Sequence, residues 1–515
     1  MSIYKTQNQH RVNFKYYLII VFFYFFSRVL LHICGVKFDI EPLNYYWQFI
    51  DINLLRNNFF SSIFYFHQIA PFLNIVTGIL LKLTYDIKII SGVLFYLVSI
   101  IISINIFNTL NFFFQKKISL ICSLIFLLHP GIIGFENHFY RTHFETLFIS
   151  FIIYFLISFI YIKKNKYFLY FSIAYLFCFL TRETFDIILY LLISIVLIII
   201  SKKKRIIYLT LLFFFILNVF LLKNFYYFNF YGTSSAGWDN ASSKYYILFE
   251  NEQYNSKNNS MLEKFLIKSQ EKKKLQEKIG CITNYAWQQN VAKYKDCIKT
   301  SYNFEHEVLS AELKLNGNNN YNNQIYLDVQ KIRKKTFFLI LENQPQIIAW
   351  GIFDGFVYFF KSVDQFGFIQ NNINNIKYLN NIFNIFWYGN FIELFEKYLL
   401  FNNKIILYFK YFNFFLFTIL IYSSILVLRK IKFISNKIIL INFLLILIFY
   451  YNMLLICVGT TQEAMRNKFS LEQILYLLFL INIYKNKFVN YLNPIFFLRK
   501  LKFLKNLNRY KTALK

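Results

Sequence analysis

The chain has 515 residues, of which 57% are hydrophobic and 22% aromatic, with 5 prolines and a formal net charge of +30. Apolar runs longer than about 16 residues recur along it, which excludes a large soluble protein and indicates an all-α polytopic membrane protein. Phe, Ile, Tyr, Asn and Lys are over-used together, as AT-rich coding produces, so part of the charge is lysine drift; its placement beside apolar runs still sets orientation.

Residues 1–15 are polar and basic, and the apolar run after them has no small-x-small cleavage site. It reads as an uncleaved anchor with the N-terminus in the cytoplasm. Basic clusters at Lys116-Lys117, Lys163-Lys164-Lys166, Lys202 to Arg205 and Arg429-Lys430-Lys432 belong on the same side. So does the tail after Tyr484, which carries nine Lys or Arg and no acid. The topology that satisfies these charges has spans at 15–35, 88–113, 118–135, 144–162, 167–182, 185–201, 206–223, 404–428, 436–458 and 469–485. Both termini are then inside. It requires that residues 71–86, which start at Pro71 and carry Lys82, lie on the outer surface or re-enter rather than cross.

Four regions follow: an N-terminal transmembrane module (1–223) with a first outer loop at 36–87, an extracytoplasmic block (224–403), C-terminal transmembrane helices (404–485) and a basic cytoplasmic tail (486–515). Within the block, 261–278 reads as an amphipathic helix, 316–323 as a loop, and 346–362 and 383–399 as interfacial helices. An outside compartment permits a disulfide between Cys281 and Cys297; the other four cysteines sit in or near apolar runs and read as core.

The polar residues of interest collect on the outer side. The segment Trp47 to Asn74 holds Asp51, Arg56, His67, Gln68 and Pro71 beside a membrane anchor, a setting for chemistry on something lodged in the bilayer. Asp39, Glu41 and Asp51 are acids of the first outer loop. Each alone is most simply a solvated loop carboxylate, but Asp51, pressed against the membrane surface, suits a general base. Arg141, Arg182, Lys223 and Arg466 stand at outer helix ends; singly they would snorkel to headgroups, and together they suit an anionic phosphate. His138 and His143 flank Arg141 with Glu136 and Glu145 near, a set that admits a divalent cation but reads first as a polar interfacial loop. Gly232 to Trp238 is a small-residue turn ending in an aromatic that suits a sugar face or the interface. No Walker A loop, no G-x-G-x-x-G and no H-E-x-x-H is present, so neither a nucleotide engine, a nucleic-acid partner nor a metal site is expected.

Taken together, these pieces resemble a multi-pass membrane glycosyltransferase of the GT-C class, in the bacterial branch related to protein O-mannosyltransferases and lipid A aminoarabinose transferases. The first outer loop of such relatives is similar at Trp47, Asp51, Leu54, Leu55, Arg56, Ser62, Tyr65, His67, Pro71, Phe72 and Asn74, with one proline of the relatives' Ser-Gln-Pro-Pro missing at Gln68-Ile69-Ala70-Pro71. A proline-led loop ending in an acid is matched by His129-Pro130 through Glu145. A Gly/Ser/Trp turn is matched at Tyr231, Gly232, Ser234, Ser235, Trp238 and Asn240, and a late acid-arginine motif at Glu463, Arg466, Lys468 and Phe469. The segment 241–345 matches nothing in that family. The resemblance implies a GT-C-like bundle of about ten helices in a bacterial inner membrane with its site facing outward. It implies a sugar donor on a polyprenyl phosphate and a glycan, lipid or protein acceptor. Asp51 would be the base, with His67 beside it. Arg141, Lys223 and Arg466 would hold the phosphate. Gln68, Glu145, Ser235, Trp238 and Asn240 would contact substrate. No cofactor is implied, with Glu136 or Glu145 keeping a divalent cation open. The usual double-acid signature of protein mannosyltransferases is absent, and Asp39 and Glu41 stand as alternative acids.

Overall fold

In the computed structural model the apolar runs become helices, and the structure describes residues 14–84, 86–238, 241, 245, 291–296, 298–388, 412–460 and 463–485. Helix α1 (Phe14–Ile33) leads into four short helices of the first loop: α2 (Pro42–Tyr45), α3 (Ile52–Asn57), α4 (Phe59–Phe64) and α5 (Phe72–Leu83). There follow α6 (Ile87–Leu110), α7 (Lys116–Leu127), α8 (Pro130–Glu136), α9 (Arg141–Ile162), α10 (Asn165–Thr181), α11 (Ile187–Ser201) and α12 (Lys204–Phe228). The described part of the polar block holds α13 (Val291–Lys295), α14 (Glu307–Ser310), α15 (Ile325–Asn343), α16 (Pro345–Phe359), α17 (Gln370–Asn375) and α18 (Lys377–Phe386). Helices α19 (Phe414–Lys430), α20 (Lys437–Gly459) and α21 (Ala464–Lys485) close the bundle.

Among the described residues, five helices are long and apolar enough to cross a membrane: α1, α6, α9, α12 and α20. The pair α7 and α8, bent by 58°, makes a sixth if it counts as one span. The protein is thus an integral, multi-pass, all-α membrane protein. Helices stand in each of the ten ranges read from the sequence, but α10, α11 and α19 have 17, 15 and 17 residues. Helix α21 carries Arg466, Lys468 and Glu472 inside it, so length and apolarity alone do not make it a span. Helix α5 has 12 residues. At 1.5 Å per residue it is about 18 Å long, well short of a hydrocarbon core of about 30 Å.

Helix α9 is the centre of the bundle, packed on α6, α10, α20 and α21. Of its most apolar window 72% is buried, against 22% for α1 and 28% for α12, which lie outermost. Short-range chemistry sets the boundaries. Pro130 opens α8, and the His129 ring accepts the Gly131 N–H at 3.0 Å, so α7 ends and the chain turns. A Cβ on Gly131 would stand 2.4 Å from the Phe469 ring; glycine lets α8 lie directly on α21. Asp86, Asp186 and Asn436 cap α6, α11 and α20 by accepting one backbone N–H each.

The loops sort to two ends. At one, the Lys203 ammonium donates to the Lys163 carbonyl and Lys437 donates to Tyr161, which gathers the basic clusters. At the other, Asp39 pairs with residues 137–139, Arg141 with Glu183, and Thr184 with Asn452. The described residues of the polar block cover this second end: Asn372 bonds the Lys37 backbone, Leu315 N–H reaches Asp51, and Asn322 holds His67. The segment 261–278, Cys281, Cys297, most of 383–399 and the tail 486–515 lie outside the described residues. Of the other cysteines, Cys178 and Cys457 are buried, Cys122 is half-buried and Cys34 is exposed at the end of α1.

Candidate functional site

The first loop has two halves with different polar environments. In the second half, Asp51 N-caps α3: its Oδ1 accepts the N–H groups of Asn53 and Leu54 at 2.8 and 3.4 Å, and its Oδ2 accepts that of Leu315 at 2.6 Å. Three backbone donors occupy a buried carboxylate. His67 is fully buried. Its Nε2–H donates to the Asn322 carbonyl at 3.1 Å, so Nδ1 accepts from the Ser235 hydroxyl at 2.8 Å. Burial pushes this imidazole down to about 3, so it is neutral at ordinary pH. Ser235 N–H also donates to the His67 carbonyl, while Ala236 N–H and the Ser234 hydroxyl donate to that of Gln68. Lys223 belongs to the same knot: its ammonium donates to the Phe64 and Phe66 carbonyls. His67, Gln68, Lys223 and Ser235 are therefore brought together, as a clasp between the first loop and the polar block. Within it the Gln68 Oε1 has no partner among the described residues.

The first half of the loop meets a different set of residues. Asp39 forms a parallel bridge with His138, through Asp39 N–H to Asn137 and Phe139 N–H back to Asp39. Their side chains pair as well: His138 Nδ1–H donates to Asp39 Oδ2 at 3.2 Å, and Tyr46 O–H donates to His138 Nε2 at 3.2 Å. The hydrogen bond from His138 holds the Asp39 carboxyl below the usual range, and 37% of its side chain stays exposed. An exposed, ionised carboxylate fixed by a histidine is competent to take a proton.

Behind this pair stands Tyr140, edge-on to Tyr46 at 5.3 Å between centroids and stacked at 6.0 Å from His138. Gln48 donates from Nε2 to the Tyr140 hydroxyl. On the Tyr140 ring lies the guanidinium of Arg466, its Cζ 4.6 Å from the centroid and 5.7 Å from that of Phe366. Arg466 is 1% exposed. Its Nη2 donates to Glu463 at 2.9 Å, while Nε and Nη1 have no partner among the described residues. Gln48 is 2% exposed and its Oε1 is likewise unpartnered. Buried polar atoms favour a partner, and these unpartnered groups converge on one tyrosine beside the carboxylate–histidine pair, which makes this cluster the candidate site.

The remaining charges around this cluster are spent on each other. Arg141 pairs with Glu183 at 2.7 Å, and Arg182 makes two 2.7 Å bonds to Glu145, which also accepts the Ser470 hydroxyl. Arg28 grips Glu136 through Nε and Nη2 at 2.9 and 2.7 Å. Lys468 and His129 share Glu472 at 2.8 and 3.3 Å, with the Tyr388 hydroxyl on the same carboxylate. His143 faces Ser99 and the Phe95 carbonyl. The acids and histidines of 136–145 thus point to different partners, and among the described residues no group of three His, Cys, Asp or Glu is placed to hold a metal ion. Of the three residues expected on the phosphate, Arg141 and Arg466 flank Tyr140, whereas Lys223 lies with His67. Trp238 stacks among Phe337, Phe338 and Lys334, and Asn240 lies outside the described residues.

Reasoning from the sequence left Gln48, Tyr46, Tyr140 and Lys314 without roles. Lys314 is buried, donates to the Tyr46 carbonyl at 3.2 Å, and is lowered to about 8 by burial against the opposing pull of Asp51. Its signal in the sequence is one lysine among many. Compared with known protein families, with curated proteins and with solved structures, the chain finds no match.

Proposed function

We propose that the protein is a GT-C-like glycosyltransferase that moves a sugar from a polyprenyl-phosphate donor to an acceptor hydroxyl at the outer face of a bacterial inner membrane. The single observation that carries this reading is Arg466: a buried guanidinium whose Nε and Nη1 have no partner among the described residues, in one cluster with an exposed carboxylate–histidine pair. The first needs an anion and the second suits a hydroxyl proton. Hydrogen bonding and exposure favour Asp39 over Asp51 as the base: Asp51 is buried and accepts three backbone N–H groups that build α3 and hold Leu315, whereas Asp39 accepts one, from Glu41, and 37% of its side chain is exposed.

The step then reads as one displacement. The acceptor oxygen attacks the anomeric carbon and passes its proton to Asp39, oriented by His138. The bond from the anomeric carbon to the phosphate oxygen breaks, and its electron pair leaves with the phosphate toward Arg466 Nε and Nη1, where charge grows in the transition state. The anomeric carbon inverts. With ten helices crossing, the cluster and the basic end fall on opposite sides, as the charge rule requires.

A second reading has its own observation. Arg28–Glu136 and the His129–Lys468–Glu472 group are buried ionic centres between helices, and ionisable groups inside a membrane bundle mark ion or substrate pathways in transporters. Membranes containing the protein, given a labelled polyprenyl-phosphate sugar series, separate the two. A glycosidic product supports the transferase; labelled donor crossing the bilayer with no product supports transport.

A further inference from the structure

The carboxamide of Gln48 is the most constrained group in the cluster that the proposed reaction does not use. It hangs from a backbone locked on both sides: Asn74 Oδ1 accepts the Ile50 N–H at 2.9 Å, and Asn74 Nδ2 donates to the Gln48 carbonyl at 2.9 Å. Its Nε2 reaches the Tyr140 hydroxyl and its Oε1 has no partner among the described residues. Rotating the amide by half a turn does not remove the problem. The tyrosine hydroxyl would then donate to Oε1, and the NH2 group would be the unpartnered one. In either orientation one polar amide atom, in a side chain 2% exposed, is left over. A hydroxyl, which both donates and accepts, satisfies either case; a methylene satisfies neither.

A second feature stands beside it. Of the aromatic rings packed on His138, Tyr46 and Tyr140 are buried, but Phe368 is 49% exposed. Phe368 packs edge-on to Tyr46 at 4.8 Å and parallel to His138 at 6.3 Å, so it is fixed on the two residues that hold the carboxylate–histidine pair and keeps the rest of its ring open. A ring fixed on one side and open on the other is a platform for an apolar sugar face.

We infer that Gln48 and Phe368 form the subsite that selects the group carried by the donor: a pyranose whose hydroxyl bonds the Gln48 carboxamide while its apolar face lies on the Phe368 ring. This rests on the transferase reading for what happens next, but not for recognition itself. A site built around a buried hydrogen-bonding group rejects a ligand that lacks the matching hydroxyl far more strongly than an apolar pocket rejects an extra one.

The test separates binding from turnover. The full-length protein in lipid nanodiscs is titrated calorimetrically with a polyprenyl-phosphate hexose series and with the matching 2-, 3-, 4- and 6-deoxy donors. Wild type is expected to lose about 10- to 100-fold in affinity for one deoxy donor and little for the others. Gln48→Met is expected to level that preference to within about 3-fold, while still binding the sugar-free polyprenyl phosphate through Arg466, which reports an intact fold. Phe368→Ala is expected to weaken every sugar donor and spare the sugar-free lipid, with Phe368→Trp restoring affinity. A wild type indifferent to every deoxygenation, or a Gln48→Met protein that keeps the preference, overturns the inference. The transfer assay on the same samples judges the reaction separately: selective binding without product leaves the subsite standing and removes the transferase.

Discussion

The two halves of the first loop contain the same kinds of residue and differ in what is left unsatisfied. Asp51 and His67 have every strong hydrogen-bonding atom engaged by backbone or by Ser235, and they join helices to the polar block. Asp39 keeps an exposed carboxylate edge, and Gln48 and Arg466 in the same cluster keep buried atoms without partners among the described residues. A buried, fully paired polar group stabilises a fold; a buried, unpaired one costs about 1–3 kcal/mol and persists where a ligand repays it. The same contrast recurs within α21. Two residues beyond Arg466, Lys468 is equally buried yet neutralised by Glu472.

The sharpest way to break this comparison is on the paired side. Glu136→Gln leaves Arg28 charged and unpaired inside the bundle, which is expected to destabilise by about 3–5 kcal/mol. Thermal unfolding in detergent checks it, and the double change Arg28→Met with Glu136→Leu is expected to recover most of the loss. On the unpaired side, Arg466→Gln is expected to leave the melting temperature near that of wild type and lower transfer by about 10²- to 10³-fold. If Arg466→Gln instead unfolds the protein, its unpartnered N–H groups were not spare.

The clasp has a pH signature. The His67 imidazole is held to about 3 in the fold against 6.5 when free. The unfolded chain therefore binds the extra proton first, and stability is full above about 6.5 and drains away as the pH falls toward 3. Unfolding followed between pH 7 and 4 is expected to show this slope, and His67→Gln to flatten it. Lys314 gives the smallest effect. Depressed to about 8 from 10.5, it makes the fold gain stability as the pH rises through that window, because the unfolded chain holds the proton longer. Lys314→Met is expected to remove that rise, read as the change in melting temperature between pH 8 and 10.5. A Lys314→Met protein that retains the alkaline rise contradicts the assignment.

Much of the bundle was legible in the sequence because apolar runs report burial directly. The run read at 15–35 holds α1, the run at 144–162 lies within α9, and the segment at 71–86 holds the 12-residue α5. Counting crossings is harder, since α10, α11 and α19 are short and α21 is threaded with charge. Of the candidate site, the polar residues were legible as a group and their partners were not. Glu463, Arg466 and the first loop stood out as polar residues beside apolar runs. Whether a carboxylate is free depends on partners far along the chain: Leu315 for Asp51, and His138 for Asp39. No local pattern encodes those pairings. Nor does one distinguish Arg141, cancelled by Glu183, from Arg466, whose Nε and Nη1 remain unpartnered among the described residues.

The most direct measurement is transfer of labelled sugar from a polyprenyl-phosphate donor in membranes containing wild type, Asp39→Asn or Asp51→Asn at matched amounts of folded protein. The account predicts that Asp39→Asn loses about 10²-fold or more, while Asp51→Asn keeps its turnover within a few-fold and melts at a lower temperature. Loss of turnover in Asp51→Asn with Asp39→Asn fully active would contradict it.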